Sequence, residues 1–411
     1  MPERSKSIVF SPGFIGSLEI KNRLVRSATM ENGATLEGKV TEQLVNMYRN
    51  LTKGGAGLII TGFMNVLLKY RAPGRAMRLD TDDFIPGVKQ IADMVHEYGN
   101  DTRVMAQIHL PGRQVPHPGD AETMMPYIPP ALLTYITRTG SIPQPEEGKH
   151  PDPSGPSAVY DAFFKRTPRE LNEDEIEEII DAFAESIRRA EEAGFDGVQL
   201  HAAHGWLLST FLSPHTNKRE DRFGGSTENR ARLITEIYQR GRARVADDFP
   251  ILIKMNLTDF LPGGLDNEEA TRLAALLKKA GFAAIETSGG MWECMLRDEE
   301  ELGFPPLLLP ESRTKINNPS KEAYFLREAQ EVKRRTDGKI ILVGGIRSFE
   351  KAEAILENGA ADFISMARPF IRQPDLPNLW MRRETHKSAC ISCNACLPLG
   401  ESLLTCRALE K

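Results

Sequence analysis

The sequence lacks what would carry it into a membrane or onto a nucleic acid. None of its apolar runs approaches the ~18 residues of a bilayer span, and mean hydropathy is −0.35. Lys and Arg number 52 against 57 Asp and Glu, for a net charge of −5. There is accordingly no basic field to draw in nucleic acid or anionic lipid. The N-terminal stretch MPERSKSIVFSPG has neither the apolar core nor the small-residue cleavage site of a secretory signal. We read these absences as those of a soluble, cytoplasmic protein. No Gly-x-Gly-x-x-Gly follows a strand pattern anywhere in the chain, which argues against a dinucleotide fold. Cysteine is scarce as well: the 411 residues hold five, and four of them (Cys390, Cys393, Cys396, Cys406) fall in the last 22. A disulfide framework would spread them out, whereas such a cluster in a reducing compartment suits a metal centre.

What is present is a weak repeat. A helix-like segment runs into a Gly-containing turn and then a short apolar strand at 51–62, 191–201, 278–290 and 356–367. Gly suits the left-handed residue that ends a helix, and a continuous apolar run suits a buried parallel strand. Strand candidates fall near 24–27, 58–62, 103–108, 197–200, 251–255, 284–288, 340–343 and 363–366, eight in all. Between them, stretches such as 172–193 carry apolar Ile176, Ile179, Ile180, Phe183 and Ile187 at helical spacing. Eight even βα units predict one α/β domain, a (β/α)8 TIM barrel, rather than two doubly wound sheets. Residues 111–168 hold 12 of the 27 prolines, which disfavours helix and central strand and predicts a long loop after strand 3. Its aromatics Tyr127, Tyr135, Tyr160, Phe163 and Phe164 argue for packing over the site instead of a disordered insertion.

Barrel chemistry sits just after the strands. Those positions hold Ser27, Ala28, Thr29, Gly62, Gln107, His201 with His204, Lys254, Ser288, Gly344, Gly345, Ala367 and Arg368. Small residues let a ligand approach the backbone, and Gln, Lys and Arg supply donors for an anionic one. Gly344, Gly345 and Arg368, after the seventh and eighth strands, stand where barrels bind phosphate. A large phosphorylated cofactor across the mouth is the simplest reading.

The segment HAAHGWLLSTFLSPHTNKREDRFGGSTENRARL (201–233) resembles the old yellow enzyme family of FMN-dependent ene reductases. NRLVRSATMENG (22–33), AQIHLPGR (106–113), LVGGIR (342–347) and ISMARPFIRQPDL (364–376) extend the likeness over residues 8–380. The resemblance implies that Ala28, Thr29, Gly62 and Gln107 contact the flavin ring, that Lys254 holds positive charge near its pyrimidine end, and that Gly344, Gly345, Ala367 and Arg368 bind the FMN phosphate end. It implies that His201 and His204 hydrogen-bond the carbonyl oxygen of an α,β-unsaturated substrate, an enone, enoate or enoyl thioester. Two imidazole donors there stabilise the charge that hydride addition pushes onto oxygen. The residue types alone also allow His-x-x-His to be a zinc pair or merely structural.

Two departures stand out. Family members usually carry Tyr two residues after the second His and use it to protonate the α carbon, but here that residue is Trp206. Indole N–H is a donor and not an acid of phenolic strength, so water, Tyr70 or a loop tyrosine must deliver the proton, or the chemistry is an isomerisation or oxidation. Leu110 replaces a residue that is His in many relatives and makes the mouth more apolar.

The tail CISCNACLPLGESLLTC spaces its cysteines x2, x2 and x9 and resembles the [4Fe–4S] segment of 2,4-dienoyl-CoA reductases and trimethylamine dehydrogenases. Zinc is the alternative centre, and the residue types alone also allow free thiols. We therefore expect an FMN-binding barrel over residues 1–380 and a cysteine-cluster segment over 381–411. The expected activity is flavin-dependent reduction of a conjugated C=C bond. NADH or NADPH, or a partner protein acting through the cluster, would supply electrons, and the chain could form a homo-oligomer. The rival reading outside catalysis is a flavin/iron–sulfur electron carrier.

Overall fold

The computed structural model describes residues 6–71, 74–115, 117, 120–139, 151–397 and 402–409. Its eight core strands are β1 (Leu24–Arg26), β2 (Leu58–Asn65), β3 (Arg103–His109), β4 (Val198–Ala202), β5 (Ile251–Asn256), β6 (Ile285–Ser288), β7 (Ile340–Leu342) and β8 (Phe363–Met366). They pair in parallel in chain order, and β8 pairs with β1 (Ile364↔Leu24, Met366↔Arg26), which closes the barrel. All eight coincide with the apolar runs read from the sequence.

Helices α1 (Glu42–Lys53), α2 (Ile85–Tyr98), α3 (Glu173–Glu192), α4 (Thr227–Arg242), α5 (Asn267–Ala280), α6 (Leu326–Thr336), α7 (Phe349–Glu357) and α8 (Leu376–Met381) follow the strands in turn. Their boundaries have local causes. Asn172 caps α3 by accepting from Glu175 N while the Glu175 side chain accepts from Asn172 N, so two orphan donors are satisfied. Gly55, Gly194, Gly281 and Gly359 take φ of 91°, 83°, 114° and 64° where helix turns to strand, the left-handed geometry that an L side chain resists. Ile176, Ile179, Ile180, Phe183 and Ile187 of α3 are buried, each worth about 1.5–3 kcal/mol of burial. Among the described residues no helix is long and apolar enough to cross a membrane.

An antiparallel hairpin, Gly13–Ile15 with Leu18–Ile20, packs its Ile15 and Ile20 against the strand residues Val25, Leu58, Met105, Leu252 and Phe363. Of the long loop after β3, residues 116, 118, 119 and 140–150 lie outside the described residues. The remainder is not helix-free as its prolines predict: Asp120–Met124 and Pro130–Thr139 are helical, the second opening on Pro130 where a missing N–H costs nothing, and the segment packs. Buried Arg113 donates to Glu293 Oε2 (3.0 Å) and stands 3.4 Å from Asp161, Arg166 holds Asp120 with two hydrogen bonds, and Phe163 and Phe164 share a cluster with Trp292 and Leu308.

Candidate active site

Strand side chains alternate between faces, so positions two apart share a face. The apolar layer of Val25, Met105, Leu252, Ala284 and Phe363 is one cluster. Two residues further along the same strands come Ser27, Gln107, Lys254, Glu286 and Ser365, and β4 supplies Gln199. Another two-residue step brings His109, His201, Asn256 and Ser288. Polarity thus rises toward the C-terminal mouth.

The middle layer is one hydrogen-bonded chain. Gln107 Nε2 donates to Gln199 Oε1 (2.8 Å), and Gln199 Nε2 donates to Glu286 Oε2 (2.9 Å). The hydroxyls of Ser27 and Ser365 both donate to Glu286 Oε1 at 2.7 Å. Lys254 Nζ donates to Ser27 Oγ (2.9 Å) and lies 3.5 Å from Glu286 Oε1. Glu286 is wholly buried, and an unpaired charge there would be costly, so the Lys254 cation and the three donors compensate it.

A second buried group surrounds Glu31. Its Oε1 accepts from Arg26 (2.8 Å), from Tyr48 OH (2.5 Å) and from Gly62 N (3.0 Å), while Arg26 also donates to Thr29 Oγ1 (2.6 Å). Burial pushes the Glu31 carboxyl up, against the pull of Arg26 and these donors. A Cβ at Gly62 would stand 2.6 Å from Glu31 Oε2 and 2.7 Å from Thr29 O, so the close approach requires glycine.

At the rim stand three imidazoles in a row. His109 Nδ1 is 3.1 Å from His201 Nδ1, His201 Nε2 is 3.1 Å from His204 Nδ1, and His204 Nε2 is 2.6 Å from Ser288 Oγ. Burial lowers the pKa of each, that of His109 to about 3 and those of His201 and His204 well below the usual value. The like charges of neighbouring imidazoles and Lys254 add to the effect on the latter pair. All three are therefore neutral near pH 7, each with one N–H to give. His204 sits at φ 65° and Gly205 at 79°, a strained turn for histidine. It is held by His204 N donating to Asn256 Oδ1 (3.0 Å) and Gly205 N donating to Ser209 Oγ (2.9 Å). Trp206 presents an edge contact to His109, ring centres 5.0 Å apart.

After β7, Gly344 and Gly345 adopt φ of 133° and 72°. Among the described residues, none accepts a hydrogen bond from the backbone N–H of Gly344, Gly345 or Arg368. Glu311 is half-buried near Lys254 and Arg368; desolvation of its carboxyl pushes it up to about 7 despite those cations, and its Oε2 has no partner. Free amides on a left-handed glycine turn, with Arg368 opening the segment after the next strand, suit a phosphate. The donor set thus fits the acidic end of FMN.

Arg368 also donates to Arg313 O (2.8 Å) and to Asn394 Oδ1 (2.6 Å), which ties β8 to the cysteine tail. There Cys390, Cys393, Cys396 and Cys406 line one cavity of about 190 Å³ together with Arg368, Arg372 and Asn394. Ser392 and Asn394 take positive φ of 54° and 58°, which winds the chain round that cavity. Burial raises the Cys396 thiol to about 12, the guanidinium of Arg368 opposing and the other three thiols reinforcing. Among the described residues no three His, Cys, Asp or Glu side chains converge on a single metal ion.

The structure therefore brings His201 and His204 together with Trp206 beside them, and joins Gln107 to Lys254 through the Glu286 chain. Thr29 and Gly62 meet at Glu31, and Arg368 faces the cysteine cavity. The zinc alternative for His-x-x-His finds no support, because the imidazole nitrogens pair with one another and with Ser288. Tyr70 is engaged elsewhere: its hydroxyl donates to Glu175 (3.1 Å), and burial raises its pKa. Sequence reasoning passed over His109, Gln199, Glu286, Glu31 and Glu311. The first three carried a signal, since polar residues at every second position interrupt otherwise apolar strands.

Solved structures share this arrangement of strands and helices. 2-Naphthoyl-CoA reductase in complex with 2-naphthoyl-CoA superposes with a TM-score of 0.76 at 26% identity, over 95% of this chain and 54% of that one. Morphinone reductase in complex with tetrahydroNAD gives 0.68 at 25% identity, over 94% and 93%. Barrel and mouth together place the chain in the class of flavin oxidoreductase barrels. The model of the NADH:flavin oxidoreductase / NADH oxidase family, the old yellow enzyme family, matches residues 8–383, and the chain belongs to that family. It is 35% identical to an NADH oxidase of Thermoanaerobacter brockii over 94% of this chain and 52% of that protein, and 35% identical to a metal reductase of Desulforamulus reducens over 94% and 51%. The chain thus spans about half the length of these two relatives. It covers 86% of an NADH-dependent flavin oxidoreductase of Hypocrea jecorina, at 32% identity over 89% of its own length.

Proposed function

We propose that the chain reduces a C=C bond conjugated to a carbonyl, with His201 and His204 holding the carbonyl oxygen. The observation that carries this is the 3.1 Å approach of two neutral imidazole nitrogens at the barrel mouth. A carbonyl oxygen that accepts from both would replace the hydrogen bond that now joins them. FMN, when bound, supplies the hydride for such a reduction. Ala28, Thr29, Gly62, Gln107 and Lys254 would hold its ring, and Gly344, Gly345, Ala367 and Arg368 its phosphate. The histidines then oppose the negative charge that builds on oxygen, an effect worth about 3–4 kcal/mol per donor in comparable sites. Preorganisation favours them, because the strained turn at His204 and its backbone bond to Asn256 fix where the ring stands before substrate arrives. Relatives named for a naphthoyl thioester and for morphinone support a conjugated carbonyl, and those named for NADH or NADPH support a nicotinamide donor.

The test is anaerobic reduction of the flavin-loaded protein by NADH or NADPH, followed by an enone. Reoxidation of the flavin with saturated product supports the reading. Reoxidation only by a protein partner would favour an electron carrier.

The four cysteines support a second cofactor, a [4Fe–4S] cluster over residues 381–411, with 1–380 as the flavin barrel. A cavity of about 190 Å³ lined by four thiols has the donor set such a cluster needs, and one zinc ion is the alternative occupant of the same thiols. The cluster's iron would let buried thiols ionise.

A further inference from the structure

The geometry points to His109 and Ser288 as positioning residues that fix the tautomers of His201 and His204, so that both inward nitrogens are donors. This rests on the carbonyl-binding reading above. Each neutral imidazole has one N–H and one lone pair. For His201 Nε2 to donate to a bound oxygen, His201 Nδ1 must be the acceptor, and its neighbour there is His109 Nδ1 at 3.1 Å. For His204 Nδ1 to donate to the same oxygen, His204 Nε2 must accept, and its neighbour is the Ser288 hydroxyl at 2.6 Å. His109 Nδ1–H and Ser288 Oγ–H therefore have to point inward from the two ends of the row.

That arrangement sets two N–H groups face to face across 3.1 Å. Without a ligand it is repulsive, and the row relaxes by turning the Ser288 hydroxyl to accept. An oxyanion or a carbonyl oxygen gaining charge resolves the conflict by accepting from both as the two rings turn apart to admit it. A neutral hydroxyl does so less well, because its own proton meets only donors. The row thus selects for negative charge on oxygen, which is the property of the transition state rather than of the substrate. The supports lie on separate strands: His109 ends β3 and Ser288 ends β6, and both are buried.

The probe is 4-nitrophenol, whose ionised form is coloured, titrated into the flavin-loaded protein. The native protein should bind the phenolate in preference to the phenol and lower the apparent pKa of the bound probe. Ser288→Ala should weaken phenolate binding about ten- to a hundredfold, the worth of one charge-assisted hydrogen bond, with little change for the neutral phenol. Ser288→Thr should restore it, and His109→Gln, whose amide can donate, should retain more binding than His109→Phe. ¹⁵N spectra of the phenolate complex should place protons on His201 Nε2 and His204 Nδ1. Protons on the outer nitrogens, or full phenolate affinity in Ser288→Ala, overturn the proposal. If His201→Ala also binds phenolate like the native protein, the carbonyl-binding reading itself has failed, so the two failures are distinct.

Discussion

His109 Nδ1 lies 3.1 Å from His201 Nδ1, and with His109 held to a pKa of about 3 by burial the contact is between two neutral rings. The unfolded chain protonates its histidines below about pH 6.5, whereas the folded chain keeps these three neutral. Their contribution to stability is therefore complete above pH 6.5 and is lost as pH falls. Each adds a slope of up to about 1.4 kcal/mol per pH unit. His109→Gln should shrink the acid-side slope by up to one histidine's share, read from urea midpoints between pH 4 and 7.

Glu311 works in the opposite sense. Its folded carboxyl is raised to about 7, so its stabilisation is full below about pH 4.5 and disappears as pH rises through 7. Glu311→Gln should remove this loss, leaving the variant more stable than the native protein at pH 8 by on the order of 3 kcal/mol and nearly equal to it at pH 5. Equal midpoints at pH 8 would refute the assignment.

The Lys254–Glu286 pair is buried on both sides, with side chains 6% and 0% exposed. Glu286→Leu leaves the ammonium uncompensated and should cost about 3–5 kcal/mol by chemical denaturation. It also unpins Gln199 and hence Gln107, so flavin affinity should fall in the same variant.

Trp206 stands against His109 and His201 but has no proton of phenolic acidity. Native turnover with simple enones should be slow, and Trp206→Tyr should speed it, with the ~100–10,000-fold contribution of a positioned acid as the ceiling. His201→Ala should lower reduction of the same enone by roughly 100–1,000-fold while NADH or NADPH still bleaches the flavin. Fast native reduction with no gain from Trp206→Tyr would mean that another acid already serves.

Cys393→Ser should strip iron and sulfide from the anaerobically reconstituted protein and leave most of the flavin in place, since of the residues assigned to the flavin only Arg368 also lines the cysteine cavity. Metal analysis and the visible spectrum report both. Full iron content in the variant would count against the four-cysteine centre.

The sequence by itself determined the barrel. Apolar runs at even spacing, helical periodicity between them and glycines at the left-handed turns are local properties, written in consecutive residues, and they placed all eight strands. His201 and His204 were equally legible, because one turn carries both. Only the tertiary structure decided what those groups face. His109, Gln199, Glu286 and Ser288 come from three strands, and their partnership depends on the parallel register that sets inward positions side by side. A two-residue polar rhythm in each strand hinted at it, yet which strands are neighbours is a long-range fact. Burial also belongs to the closed barrel: the same imidazoles and carboxyls in an open chain would keep their ordinary pKa values, and desolvation by residues distant in sequence is what moves them.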